Sequence, residues 1–337
     1  MSVVRISSEA SIANDTTARW LFAGVLGLVV GLSFLMSSFA PIVFSIVTVF
    51  LFAGPHNWFE GRYMISRMPA KWGPLAGYFV FGIVGVILLT GMFASLPLWM
   101  GDTVAGAHIA LASWNTALVA WIVVLALWRS RQNPRREWYW LVPVAFLLLA
   151  VNWTWPWAWS LCLVYIHPLV AMTFFDREIA RRKPQWLTIY RSAMGGAFAT
   201  LLLMYLLLGS TADLHGNDLL SLQITRHAGA GILQGVSTRF LVAAHTFLEV
   251  LHYAIWILAM PLLCVKAAPW NLSRSAPLAK RSTNLKRALL AIVGLGAAIV
   301  VVLWGGFLAD YPATRDIYFT VAMLHVLAEV PFLLRLL

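Results

Sequence analysis

Ten apolar segments, each long enough to cross a lipid bilayer as a helix, run through this chain. The hydrocarbon core of a bilayer is roughly 30 Å thick, and about 20 helical residues span it. The sequence is 61% hydrophobic and only 11% charged, with a mean hydropathy of +0.80, unlike a soluble domain. The predicted spans are 20–38, 41–57, 75–99, 105–128, 139–153, 157–175, 189–209, 240–264, 288–308 and 316–336. They predict an all-α fold, a polytopic integral membrane helical bundle with about ten transmembrane helices.

The positions of lysine and arginine predict how the bundle is oriented. With the N-terminus inside, 21 of the 24 basic residues fall on the inner side, and Arg226, Arg239 and Arg315 remain outside. Because cytoplasmic loops carry such an excess, we predict that both termini are cytoplasmic. We expect a bacterial cytoplasmic (inner) membrane as the location. The net charge of +11 is scattered over short connections, so membrane lipids are the expected partners and nucleic acid is not.

The same pattern predicts one main domain. Residues 1–18 are polar and are predicted to form a flexible cytoplasmic tail, followed by a single transmembrane helical domain over 19–337. Cys162 and Cys264 stand in apolar stretches, with a spacing typical of neither a disulfide framework nor a metal site. The outer connection 210–239 is long enough to hold a surface helix or a lid.

The segment HTFLEVLHYAIW, residues 245–256, places three ionisable side chains in an apolar span. In a helix, His245, Glu249 and His252 project from one face because they are spaced i, i+4 and i+7. The histidine-to-glutamate spacing of four recurs at His56/Glu60 and at His325/Glu329. The spacing therefore predicts a polar stripe on three separate spans.

Random placement does not account for this spacing. The chain has eight histidines and six glutamates, which would give about 0.14 pairs at this spacing by chance, against the three observed. An ionisable group in the bilayer centre costs about 2.5–3.5 kcal/mol, so partners, water or a metal must compensate for several of them. Helical rise puts most of these groups, together with His167, at similar depths of roughly 14–23 Å. We predict that they converge in one polar chamber.

Imidazole and carboxylate groups together suit iron, manganese or zinc. Glu249-x-x-His252 also has the Glu-x-x-His spacing with which helix bundles hold paired iron or manganese ions. The predicted metal ligands are His56, Glu60, His167, His245, Glu249, His252, His325 and Glu329. Within this set, Glu60, Glu249 and Glu329 are also the candidate catalytic residues, as ligands, bridges or, for Glu60, a proton donor. Hydrogen-bonded His/Glu pairs that stabilise helix packing are the structural alternative.

The remaining histidines receive structural interpretations. His108, near the end of a span, is predicted to be a packing or interface residue. His215 and His227 lie in the outer connection, where solvated histidine is expected. We place none of the three in the predicted site.

Two acidic residues near the end of the sixth span are also interpreted structurally. Asp176 is predicted to form a helix-end ion pair with Arg181 and Arg182. Glu178 is predicted to lie in a cytoplasmic turn. Glu249→Gln is accordingly expected to impair metal binding more than Glu178→Gln.

A metal chamber inside a helical bundle is reached more easily by hydrophobic molecules than by soluble ones. The leading hypothesis is a metal-dependent oxidoreductase that uses one or two non-haem iron ions and dioxygen on a lipid-like or isoprenoid substrate. No residue pattern identifies an electron donor. Three alternatives stay open: a zinc-dependent lipid hydrolase, a proton- or cation-coupled transporter with a His/Glu relay, and a b-type haem protein.

The histidine boxes of membrane fatty-acid desaturases and hydroxylases, His-x-x-x-His and His-x-x-His-His, do not occur in this sequence. In its general plan, with iron held by histidines on separate spans, the predicted site resembles that of polytopic carotenoid-cleaving oxygenases. No motif aligns residue by residue, so this resemblance assigns neither a family nor any functional residue.

Overall fold

Helices form all the regular structure of the described residues. The computed structural model describes residues 2–69, 71–133, 137–214, 216, 218–263 and 277–336, with the side chains of residues 2–15 and 278 outside the described set. No strand occurs in these ranges, so the all-α prediction is confirmed for them. The helices are α1 (Ser2–Phe39), α2 (Pro41–Arg67), α3 (Ala76–Met100), α4 (Val104–Gln132), α5 (Leu141–Thr154), α6 (Pro156–Arg182), α7 (Leu187–Leu208), α8 (Leu219–His227), α9 (Thr238–Ala254), α10 (Met260–Leu263), α11 (Thr283–Ala309) and α12 (Tyr311–Leu336).

Nine helical segments of the described chain are long and apolar enough to cross a membrane. The fifth predicted span is a shorter apolar helix, α5, whose 14 residues rise only about 21 Å. A hydrophobic core of roughly 30 Å is thicker than that, so α5 reaches across it only in part. The cytoplasmic position of both termini and the flexible tail over 1–18 stay predictions, although the backbone of α1 is helical from Ser2.

Helices α2 and α6 extend well beyond the predicted spans 41–57 and 157–175. Their polar C-terminal turns continue the helix because each backbone N–H and C=O can then be satisfied within the segment. As a result, His56 and Glu60 lie in the middle of α2 rather than at its inner end. The additional turns of α6 contain Asp176 and Glu178.

Four helices surround a common axis in the middle of the bundle. Helix α2 packs against α9, α9 against α6, α6 against α12, and α12 against α2. The other long helices pack around this group, with α1 and α7 beside α9, α3 beside α12, and α11 beside α2. Each of the four central helices therefore presents one face to the same interior space.

Helix α9 is regular over the residues that face this space and changes geometry just after them. A π-helical turn, Ile255–Ala259, joins α9 to α10. Turns of this kind are rare and frequently adjoin functional sites. The regular part, Thr238–Ala254, keeps His245, Glu249 and His252 on one stripe.

Helix α8 lies across one end of the bundle, where it contacts α2, α9 and α12. Its first turn is capped by Asp218, whose Oδ1 accepts a hydrogen bond from the Ser221 backbone N–H at 2.9 Å. The side chain of Gln223 joins it to α12 by donating from Nε2 to Asp316 Oδ2 at 2.7 Å. The long connection 210–239 thus holds a surface helix; we call this side the α8 end.

Both structural interpretations at the end of α6 are wrong. Glu178 lies within the helix and is fully buried, where its carboxylate meets the guanidinium groups of Arg67, Arg181 and Arg182. Asp176 instead pairs with Arg191 of α7, through contacts of 2.8 and 3.1 Å. Contacts between different helices decide both positions, and the local spacing of charges does not reveal them.

Candidate metal centre

Four imidazoles, one from each central helix, form a ring inside the bundle. They are His56 of α2, His252 of α9, His167 of α6 and His325 of α12. Taken in that order around the ring, neighbouring centroids lie 5.2, 4.5, 5.0 and 5.2 Å apart. The order of the rings is the order in which the four helices pack, so the fold itself brings the imidazoles together.

Two of the ring nitrogens are as close as ligands of one ion. The Nε2 atoms of His167 and His325 are 3.2 Å apart. Two nitrogens bound to one metal at 2.0–2.1 Å are separated by about 2.9–3.4 Å, depending on the coordination geometry. The observed separation falls in that interval, so both atoms can face a shared cation.

A convergent set of donors lies around the same point. His56, Glu60, His252 and His325 each offer one atom, and these four atoms all lie within 4.8 Å of one another. Three of the residues are almost completely buried, with 0–2% of their surface exposed, and His325 is partly buried. This group can hold a metal ion.

Unsatisfied polar atoms show that the protein alone leaves this site incomplete. Both ring nitrogens of His252 and both carboxylate oxygens of Glu60 are buried without a hydrogen-bond partner among the described residues. Leaving such an atom unpaired costs about 1–3 kcal/mol. A bound cation would coordinate the nitrogen lone pair and the carboxylate that lack a partner, so the residues present fit a metal.

Contacts behind the ring hold two of the imidazoles in place. The Nδ1 of His56 lies 3.0 Å from the backbone oxygen of Phe52, which leaves Nε2 to face the centre. Metal-binding histidines commonly make a hydrogen bond such as that of His56, which fixes the tautomer and the direction of the free nitrogen. The Nδ1 of His167 lies 3.1 Å from Glu329 Oε2, a close contact without hydrogen-bond geometry.

The carboxylates of the site differ in position. Glu60 belongs to the convergent donor set, whereas Glu329 lies behind His167. The two are close enough for their charges to repel each other. A divalent cation would reduce that repulsion, because the donor set otherwise supplies only negative charge and neutral imidazoles.

His245 and Glu249 stand apart from the convergent donor set, on the side nearer the α8 end. Their mutual contact is 3.7 Å, between His245 Nδ1 and Glu249 Oε2, and Tyr253 donates its hydroxyl to Glu249 Oε1 at 3.3 Å. His245 and His252 are seven residues apart, about 10.5 Å along a helix. An ion held by the four imidazoles is therefore too far away for His245 to bind it, although His245 and His252 lie on the same face of α9.

No protein-family model, curated protein or solved structure matches this chain. The chemistry of the centre follows from its own donors, which are imidazole nitrogens and carboxylate oxygens from four helices. Such a set binds iron, manganese or zinc.

A cavity of about 600 Å³ extends from the histidine ring toward the α8 end. His56, His167, His252 and His325 form part of its wall. Many of the other wall residues are apolar or aromatic, among them Phe93, Trp114, Leu163, Val164, Met323 and Val326. A pocket of this size and lining suits a hydrophobic small molecule.

The wall also contains a histidine that was predicted to be solvated. His227 ends α8, is half-buried, and packs on Phe319 and His245 with centroid distances of 4.3 and 5.0 Å. Burial lowers the pKa of His227 well below its usual value, and the positive charge of Arg315 adds to that effect. The prediction of a solvated side chain is thus wrong, because α8 folds onto the bundle. The short apolar pattern of LLSLQI was the signal for such a helix.

The two other histidines lie outside the centre or outside the described residues. His108 places its Nε2 2.9 Å from the backbone oxygen of Trp153, at the turn between α5 and α6. That contact agrees with a packing role. His215 is not among the described residues.

Proposed function

We propose that this protein is a membrane-embedded, metal-dependent oxidoreductase that uses non-haem iron and dioxygen on a lipid-like or isoprenoid substrate. The observation that carries the proposal is the ring of four imidazoles with Glu60, buried in the bundle and open to a mostly apolar cavity of about 600 Å³. The donor set of His56, Glu60, His252 and His325 can hold one ion, and we propose a single iron there.

The donor set supports iron in particular because nitrogen and carboxylate ligands leave coordination positions open. When bound, iron would supply the redox chemistry that dioxygen requires. The imidazoles fix the position of the ion, and the apolar walls keep water from a substrate that lies against it. Glu60 either completes the ligand set or holds a proton beside the substrate.

Zinc accepts the same donors and supports a second candidate function. With three or four imidazoles on the ion and Glu60 as general base, the site would suit the hydrolysis of a lipid ester or amide. The position of Glu60 within the donor set favours this candidate over the remaining two. The identity of the bound metal separates hydrolase from oxidoreductase.

As a pair, His167 and His325 fit a haem less well than a bare ion. Two nitrogens on opposite sides of one metal would be about 4 Å apart, whereas those of His167 and His325 are 3.2 Å apart. A transporter would use the histidines and glutamates as a relay for protons or cations. That alternative predicts transport coupled to pH and no tightly held ion.

Elemental analysis of detergent-purified protein tests the proposal. Wild type should contain about one iron per chain, and His252→Ala and His325→Ala should each lose most of it, because each variant removes a donor from the ring. His108→Ala is the matched control and should keep its iron, because His108 contacts Trp153 instead. Stoichiometric zinc would favour the hydrolase, and metal-free wild type would overturn both enzyme proposals.

Activity is the second part of the test. Iron-loaded wild type should consume dioxygen when a polyprenol or an unsaturated lipid is added, and His252→Ala should not. Dioxygen consumption that is equal in both proteins would contradict the proposal.

A further inference from the structure

A buried arginine lines the cavity at the end opposite the histidine ring. Arg315, in the first turns of α12, is only 4% exposed. Its Nε has no hydrogen-bond partner among the described residues, and no carboxylate in that part of the chain forms an ion pair with it. Burying a guanidinium without an ion-pair partner is costly, so this position favours an anion.

The nearby acidic groups make contacts of their own. Glu249 exerts the largest attraction on Arg315, but no ion pair joins the two among the described residues. Glu249 Oε1 accepts a hydrogen bond from Tyr253, and Oε2 lies 3.7 Å from His245 Nδ1, beyond hydrogen-bond distance. Asp316 accepts a hydrogen bond from Gln223 at the surface of the bundle. The face of Phe319 contributes a cation–π contact, with the guanidinium carbon 4.6 Å from the ring centroid. This contact leaves the N–H groups at the guanidinium edge available to a ligand.

The cavity connects this arginine to the metal centre through a mostly apolar space. Arg315 and His325 are ten residues apart on one helix, which is about 15 Å along its axis. Between these two ends the wall includes Leu163, Met323 and Val326, together with the polar side chains of His245 and Glu249 on α9. A molecule that touches both ends must therefore be elongated, with an anionic group at one end and an apolar body.

We infer that the cavity binds an amphiphile whose single anionic head group is held by Arg315, with its apolar chain directed toward the histidine ring. The inference rests on the proposed function, since it names the substrate class for that same site. Arg226 at the cavity rim adds positive charge near the entrance. Carboxylate and phosphate head groups share the chemistry that a guanidinium recognises.

Binding of dodecanoate in an uncharged detergent, followed by isothermal titration calorimetry, tests the inference. Arg315→Gln should weaken dodecanoate binding about tenfold to a hundredfold, because charge-assisted hydrogen bonds are lost. Arg315→Lys should recover part of the loss. Dodecanol, which has the same chain but no charge, should bind wild type and Arg315→Gln equally.

Arg239→Gln is the matched control, because Arg239 lies at the same end of the bundle and reaches the backbone oxygen of Phe39 instead. It should bind dodecanoate as wild type does. Equal binding of dodecanoate by wild type and Arg315→Gln would overturn the inference. Arg315-dependent binding that is tighter for dodecyl phosphate than for dodecanoate would support it, with phosphate as the preferred head group.

Metal content, measured on the same preparations, separates this inference from the proposed function. Arg315→Gln should keep its iron, because Arg315 is outside the donor set. If the wild type contains no metal but still binds dodecanoate through Arg315, the oxidoreductase proposal is ruled out and the head-group site at Arg315 stands. If the wild type contains iron but its dodecanoate binding does not depend on Arg315, the head-group site is ruled out and the oxidoreductase proposal stands.

Discussion

Glu329 differs from the other glutamates of the site in what it contacts. Its Oε2 lies 3.1 Å from Nδ1 of His167, on the side of that ring away from His325. The contact lacks hydrogen-bond geometry, but a carboxylate beside Nδ1 favours a proton on that nitrogen, so that Nε2 carries the lone pair that a metal needs. We therefore expect Glu329 to act as a positioning residue for His167.

Glu329→Gln should weaken metal binding about tenfold to a hundredfold without abolishing it, because the imidazole loses the contact that orients it. Competition with a chelator of known affinity measures the change. His167→Ala should lose at least as much, and the double variant should be no worse than His167→Ala alone. Additive losses in the double variant would show that Glu329 acts independently of His167.

The metal contents of the Glu60→Gln and Glu249→Gln variants should differ, and comparing them locates the ion. Glu60→Gln should reduce the metal content of purified protein strongly, since its carboxylate is one of the four convergent donors. Glu249→Gln should have a much smaller effect, because the Glu249 oxygens contact Tyr253 and His245. Elemental analysis of both variants measures the two losses of metal. A larger loss in Glu249→Gln than in Glu60→Gln would place the ion nearer to His245.

The spacing of histidine and glutamate predicted which residues share a helix face, but it left their roles open. Each pair lies on one stripe because of the helical period. Of the three glutamates, however, Glu60 joins the donors, Glu329 supports His167, and Glu249 lines the cavity. The rotation of each helix decides between these roles, and it depends on packing against neighbours that the local sequence does not specify.

At the scale of single elements, the C-terminal end of α6 is joined to α2 by a buried charge cluster. Glu178 is fully buried and meets Arg67, whose side chain is 27% exposed, together with Arg181 and Arg182. Tyr63 also donates its hydroxyl to Glu178 Oε1 at 3.0 Å. The cluster fixes α6 against α2, and these helices carry His167 and His56.

Glu178→Gln should lower the apparent Tm of the purified protein because it leaves arginines without their counter-charge. The loss should be about 1–3 kcal/mol, less than for a fully buried pair, since the arginines are partly hydrated. Thermal scanning measures it, with Asp176→Asn as the more exposed comparison. Metal content per folded chain should stay close to that of wild type, and a selective loss of metal would show that Glu178 acts on the centre itself.

The helices were largely predictable from the sequence, because a bilayer requires long apolar segments with internally satisfied backbones. The ends of α2 and α6 were not, since their final turns are polar and do not continue the apolar pattern that marks a span. A surface helix within 210–239 was foreseen, but the packing of α8 onto the bundle and the burial of Arg315 were not, for a similar reason. A short connection folds onto the bundle only when the long-range contacts, such as that between Gln223 and Asp316, are present.

For the molecule as a whole, the centre is a point where four helices meet, and several of its buried polar atoms lack a hydrogen-bond partner among the described residues. Helices α2, α6, α9 and α12 each contribute one imidazole. In the absence of a cation these buried atoms oppose the packing of the four helices, and a bound ion reverses that effect. Metal binding and the stability of the bundle should therefore be coupled.

Removal of the ion should lower the apparent Tm of the wild type. A ligand present at about 100 times its Kd stabilises the folded state by about 2.7 kcal/mol, which corresponds to a shift of roughly 3–8 °C for a chain of this size. Thermal scans with and without a strong chelator measure the shift, and added iron should restore the original value. His252→Ala should melt at the same temperature with and without chelator, because its ring is incomplete. A chelator effect of equal size in wild type and His252→Ala would locate the stabilising ion elsewhere in the protein.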